Sequence, residues 1–130
     1  MKILAFASLV LLTALLPSCT KKEVVIPNQT ILTDINPNNW QYDNTTKTYY
    51  VAIDMPEIDE NVNETDGVLV YISSGDQVYE ALPEVYNGYS YTVLHAPGNI
   101  TIEAQGADGS TVNPPNYPLH VKIVLVKSAP

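Results

Sequence analysis

Arginine is absent from this chain of 130 residues, and cysteine, tryptophan and phenylalanine each occur once. Without arginine, six lysines are the only permanent cations against fourteen acidic side chains, and the net charge is −8. Phosphate recognition is built on Lys and Arg, so nucleic acid is excluded as a partner. A lone cysteine cannot close an internal disulfide, which leaves packing to hold the fold. The sequence has no Gly-x-Ser-x-Gly elbow, no His-Glu-x-x-His and no phosphate-cradling glycine loop. No catalytic residue and no cofactor is therefore assigned, and a non-catalytic protein is expected.

Long hydrophobic runs are also missing. The longest, Ile3 to Leu16, is interrupted by Ser8 and Thr13 and stops at Pro17. A membrane-spanning helix needs roughly 20 apolar residues, so this run is too short to be one. With Lys2 before it and Leu16-Pro17-Ser18-Cys19 after it, the segment has the layout of an export signal. The ending resembles the bacterial lipobox, although Pro17 is unusual inside it. That resemblance implies cleavage before Cys19, which would carry covalent lipid and become the anchor to a membrane. Each buried methylene of an acyl chain adds about 0.8 kcal/mol, and two or three chains on one residue give stable attachment.

Removal of residues 1–18 would take Lys2 with it and leave five lysines against fourteen acids. About 110 residues would remain, the usual size of one domain with one core. The expected division is a signal at 1–18, a lipid anchor and tether at 19–39 containing a possible first strand around Ile31 to Ile35, and a β domain at 40–130. Pro27, Pro37 and several Asn give the tether its character.

Past the tether, short runs rich in Val, Ile, Thr and Tyr alternate with period two. Thr48 to Asp54 places Tyr49, Val51 and Ile53 on one face. Tyr89 to His95 aligns Tyr89, Tyr91, Val93 and His95, and Asn99 to Gln105 aligns Ile100, Ile102 and Ala104. Val68 to Ser73 and Leu119 to Val126 are apolar on both faces, which predicts central strands covered on both sides. Asn87-Gly88 predicts a two-residue hairpin, Ser74-Gly75-Asp76 and Pro97-Gly98-Asn99 predict turns, and Pro114-Pro115-Asn116 a loop. No stretch holds a 3.6-residue period. The fold class is all-β, an antiparallel sandwich of immunoglobulin-like or similar Greek-key type, with a jelly roll or open barrel as alternatives.

Trp40-Gln41-Tyr42, Tyr49-Tyr50-Val51, Gly67-Val68-Leu69-Val70-Tyr71, Ala81-Leu82-Pro83, Tyr89-Ser90-Tyr91 and the closing Val121-Lys122-Ile123-Val124-Leu125-Val126 form a set. Together they resemble small envelope lipoproteins of Bacteroidota across nearly the whole mature domain. One departure is Tyr79, where that pattern has tryptophan. The resemblance implies a β domain lipid-anchored in the cell envelope, at the outer membrane, and carries over no catalytic or binding residue.

The nine tyrosines and Trp40 are the most suggestive chemistry. Tyrosine stacks on sugars and anchors interfaces while keeping its hydroxyl wet. Strand tyrosines also pack sheet surfaces, so a glycan or protein contact is assigned only to Trp40, Tyr42, Tyr79 and Tyr86, near strand ends. The acidic stretch from Asp54 to Asp66 reads as a solvated loop. Asp59, Asn61 and Asn63 match the first, third and fifth positions of a calcium loop, but Glu64 replaces its glycine and Val70 its bidentate Glu, which makes them weak metal candidates. Two functions remain. The favoured one is a surface module that binds a partner. The other is a structural or assembly subunit of a surface appendage, for which Val121 to Val126 is the only C-terminal strand available for exchange and reads as too central to leave its sheet.

Overall fold

The computed structural model describes residues 26–110 and 112–128. Nine strands form two antiparallel sheets packed face to face. In chain order they are β1 (Gln29–Ile35), β2 (Gln41–Asp43), β3 (Thr48–Met55), β4 (Gly67–Ser73), β5 (Glu80–Ala81), β6 (Glu84–Tyr86), β7 (Tyr89–Ala96), β8 (Gly98–Gly106) and β9 (Leu119–Val126). One sheet has the order β1-β9-β4-β5 and the other β2-β3-β8-β7-β6. The all-β sandwich expected from the alternation is the fold of this chain.

Period-two alternation decides which side chains go between the sheets. In β9, Leu119, Val121, Ile123 and Leu125 are fully buried, and register sets them against Val68, Val70 and Ile72 of β4 and Ile31, Thr33 and Ile35 of β1. From the facing sheet, Ile100, Ile102 and Ala104 of β8 are fully buried between β3 and β7. Ala104 lies opposite both Tyr49 and Tyr91, so a small residue makes room for two rings. Tyr91 is fully buried, and its hydroxyl meets that of Tyr117 at 2.8 Å.

The turns follow their residues. Tyr86 pairs with Tyr89 around Asn87 and Gly88, both at positive φ (49° and 79°), which is the two-residue hairpin that Asn-Gly favours. Pro97 and Gly98 join β7 to β8, with Gly98 at φ 86°, the positive value that the second central residue of a type II turn requires. A single 3-10 turn, Pro37–Asn39, carries the chain from β1 across to β2.

The strands β2-β3-β8-β7 follow the A-B-E-D order of the immunoglobulin arrangement, and β4 and β9 stand as C and F. The place of the last strand, G, beside F, is taken here by the first strand, β1. A strand from inside the 19–39 stretch is thus part of the sandwich.

Two expectations need correction. A six-residue helix, α1 (Glu60–Thr65), stands where a solvated acidic loop was expected. It buries Val62, and with Ile58 and Met55 this side chain joins the core, which holds the acidic segment against β4 and β7. The strands β4 and β9 do occupy the middle of their sheet, but only one face of each is covered. Leu69, for example, is 44% exposed. A two-layer sandwich has no third layer to lie against the outer face.

Truncation of a residue between the sheets will test this division. Ile102→Ala or Ile123→Ala should lower unfolding free energy by about 2–5 kcal/mol in urea titrations. Leu94→Ala, on an outer face, should change it by less than about 1 kcal/mol.

Candidate functional site

The four aromatic residues singled out from sequence do not form one site. Trp40 is a correction: it is only 8% exposed and packs in the core, its ring 6.3 Å from that of Tyr91. Its Nε1–H has no partner among the described residues. An unpaired buried donor costs about 1–3 kcal/mol. Burying an aromatic ring of 150–250 Å² returns about 4–6 kcal/mol at 25 cal/mol per Å², so packing wins. Tyr42 is 38% exposed at the margin of the sandwich and leans on Tyr49 at 5.0 Å. Tyr86 donates its hydroxyl to Ser74 Oγ at 2.7 Å and lies edge-on to Tyr117.

Tyr79 is the one that stands in a cluster, on the outer face of the β1-β9-β4-β5 sheet. Lys122 Nζ lies 4.2 Å from the centre of the Tyr79 ring and 4.8 Å from that of Tyr71. Register places Leu32 on β1 beside Lys122 on one side and Tyr71 on the other, with Val124 and Leu69 in the adjacent row. An ammonium over two rings gains about 0.5–1 kcal/mol per contact at an exposed site. Among the described residues Lys127 is the lysine paired with a carboxylate, at 2.8 Å from Asp66, whereas Lys122 has tyrosine rings instead. At the end of this face His120 Nδ1 lies 2.6 Å from Asp34 Oδ1.

The opposite outer face is different. Tyr50, Asp54, Thr92, Asn99, Thr101, Glu103 and Gln105 take most of the outward positions of β3, β7 and β8, while Leu94 and, on the edge strand β6, Val85 are exposed apolar residues of the same face. This face is mostly polar, whereas the other gathers leucine, valine and tyrosine around one lysine. Sequence reading missed Tyr71, Lys122, Leu69 and Val124 because it took β4 and β9 as covered on both sides. The lysine at the centre of an apolar strand was the available signal.

Near Tyr79, residues Ser74, Asp76, Val78, Glu80 and Tyr86 line an open cleft of about 40 Å³. That holds a few waters. Small-molecule pockets run to about 300 Å³ or more, so this cleft is far smaller than one.

The weak calcium candidates are used elsewhere. Asp59 is the N-cap of α1, its Oδ1 accepting from Val62 N at 2.8 Å. Asn63 Oδ1 meets His95 Nδ1 at 2.8 Å, and the Asn61 carbonyl accepts from Thr65 Oγ1. These three residues lie in a helix and its cap, so they do not wrap a cation as a calcium loop does. Among the described residues no group of three or more His, Cys, Asp or Glu converges on a metal-sized point. Cys19, expected to carry lipid, lies outside the described residues.

Three carboxylates titrate below the usual range. Lys127 does this for Asp66 by hydrogen bonding, with Ser128 N assisting. The backbone N–H groups of Thr45 and Thr46 hold Asp43 down, and Ser110 does the same for Asp108. Burial pushes the Tyr91 and Tyr117 hydroxyls up, so both stay neutral and hydrogen-bonded.

Taken together these features define a two-layer antiparallel β-sandwich with a cluster of tyrosine, lysine and aliphatic side chains on one outer face. Compared with protein-family models, curated proteins and solved structures, the chain matches none.

Two outcomes follow. Groups with depressed folded pKa stabilise the fold above their unfolded value, 3.8, and lose that contribution as pH falls through the folded values. Melting temperature should therefore fall steadily from about pH 4 to pH 2, and Asp66→Asn should flatten part of that slope. Asp59→Ala should cost about 1 kcal/mol as a lost cap, and millimolar calcium should leave the melting temperature of either protein unchanged.

Proposed function

We propose that this chain is a non-catalytic binding module of the bacterial cell envelope, held by lipid on Cys19 and presenting a β-sandwich to a glycan or protein partner. The observation that carries the binding reading is the outer face around Lys122, Tyr71 and Tyr79, bordered by Leu32, Leu69 and Val124. Exposed apolar and aromatic side chains gathered into one patch are the usual mark of an interaction site. Tyrosine rings with wet hydroxyls and a cation without a carboxylate partner suit a sugar or an acidic surface. Tyr42, at the far margin, would not share that contact.

The anchor reading is supported by Lys2, the apolar run to Leu16 and the single cysteine at 19. The likeness of the strand motifs to Bacteroidota envelope lipoproteins supports placement at the outer membrane. No helix of the described residues is long and apolar enough to cross a membrane. In this reading the domain needs no cofactor, and its partners are the membrane, through the anchor, and the ligand of the outer face.

Cys19→Ser should move the protein from the membrane to the soluble fraction and abolish labelling by radioactive palmitate; an unlabelled wild type would overturn the anchor. For binding, Tyr71→Ala with Tyr79→Ala should cost about 1–3 kcal/mol of affinity for purified envelope polysaccharide or a captured envelope protein. Thr101→Ala, on the polar face, should bind as the wild type does. Equal binding by both variants would remove this face from the reading.

A further inference from the structure

Four strands border the two sheets, and three of them are very short: β2 has three residues, β5 two and β6 three. Short length blunts an edge against pairing with another chain. The fourth, β1, has seven residues in unbroken register with β9. It contains no proline, no lysine and no bulge, and its one charged residue, Asp34, lies against His120 of β9. On its far side no strand of the described residues is bound. It also carries Leu32, which at 67% is the most exposed large apolar side chain among the described residues.

We propose that β1 pairs antiparallel with β1 of a second copy, centred on Leu32, and joins the two four-stranded sheets into one continuous sheet. Leu32 then lies opposite its twin and each covers the other. Thr30 lies opposite Asp34, Ile31 opposite Thr33 and Gln29 opposite Ile35, so all seven residues are used. Moving the centre to Ile31 or Thr33 leaves strand residues unpaired at the ends. Asp34, the only charged residue of β1, meets a hydroxyl-bearing neighbour and not its own copy, so no like charges face each other across the seam.

A second copy fits this edge because the strand is complementary to itself under a two-fold axis. Such an interface is closed: it consumes both free edges and leaves none to extend a fibre. It also places two Lys122 clusters on one surface, where a repetitive ligand could be held at two points. That last consequence rests on the binding reading above, whereas the pairing does not.

The test uses the full-length chain in its membrane, with single cysteines and mild oxidation. Wild type, which has only Cys19, is the control lane. Leu32→Cys should give a reducible species at twice the chain mass. Neither Thr30→Cys nor Asp34→Cys should do so alone, and the two co-expressed should, because those positions face each other only across the seam. Leu32→Lys should keep the melting transition and halve the mass measured by light scattering in detergent. No Leu32→Cys dimer above the control, equal dimer in every single variant, or a cross-link to a different protein would each overturn self-pairing. Because none of these readouts uses a ligand, failure of the binding reading leaves them unaffected.

Discussion

The pairing of β9 with β1 on one side and β4 on the other is the interaction on which the rest depends. β9 supplies four fully buried side chains to the space between the sheets, and its two neighbours belong to the beginning and the middle of the chain. The His120–Asp34 contact alone spans 86 residues of sequence. With a single cysteine there is no covalent substitute for this closure. Non-local pairing of this kind carries a large loop-closure entropy, which the buried rows of Ile, Leu and Val must outweigh. Asp66 adds a small clasp at the end of β9, holding Lys127 and Ser128.

That same strand creates the feature of functional interest. Its inward positions are dictated by the core, but its outward positions are free of that demand and still carry Val124, Val126 and Lys122. β4 does the same with Leu69 and Tyr71. The outer face of the other sheet is mostly polar, with Leu94 and Val85 its exposed large apolar residues. The contrast between the two faces, within one small domain under the same packing constraints, is what directs attention to a partner.

Legibility in the sequence varied with the range of the physics involved. Alternation along β3, β7 and β8 is a property of neighbouring residues, so the inward rows at Val51, Tyr91, Ile100 and Ile102 were readable. Asn87-Gly88 and Pro97-Gly98 were readable because backbone sterics admit few conformations there. α1 was not, since six residues show less than two full turns of periodicity and the helix is fixed by Val62 seating on the sandwich end. The assignment of Trp40 to a ligand failed for a similar reason: nothing local says whether an aromatic near a strand end turns toward Tyr91 or toward solvent. For Tyr79 the local signal was right about exposure but silent about Lys122, which is contributed by a distant strand.

By itself, then, the sequence determined the all-β class, the positions of most strands and turns, and an acidic character without arginine. These follow from composition and from interactions over a few residues. Only the tertiary structure decided that the first strand stands where a last strand usually does, that Trp40 is core, and that β4 and β9 are covered on one side. It also decided that Leu32, Tyr71, Tyr79 and Lys122 share a surface. Those outcomes depend on which strands lie side by side, and strand order is set by the burial of the whole chain at once, not by any segment of it.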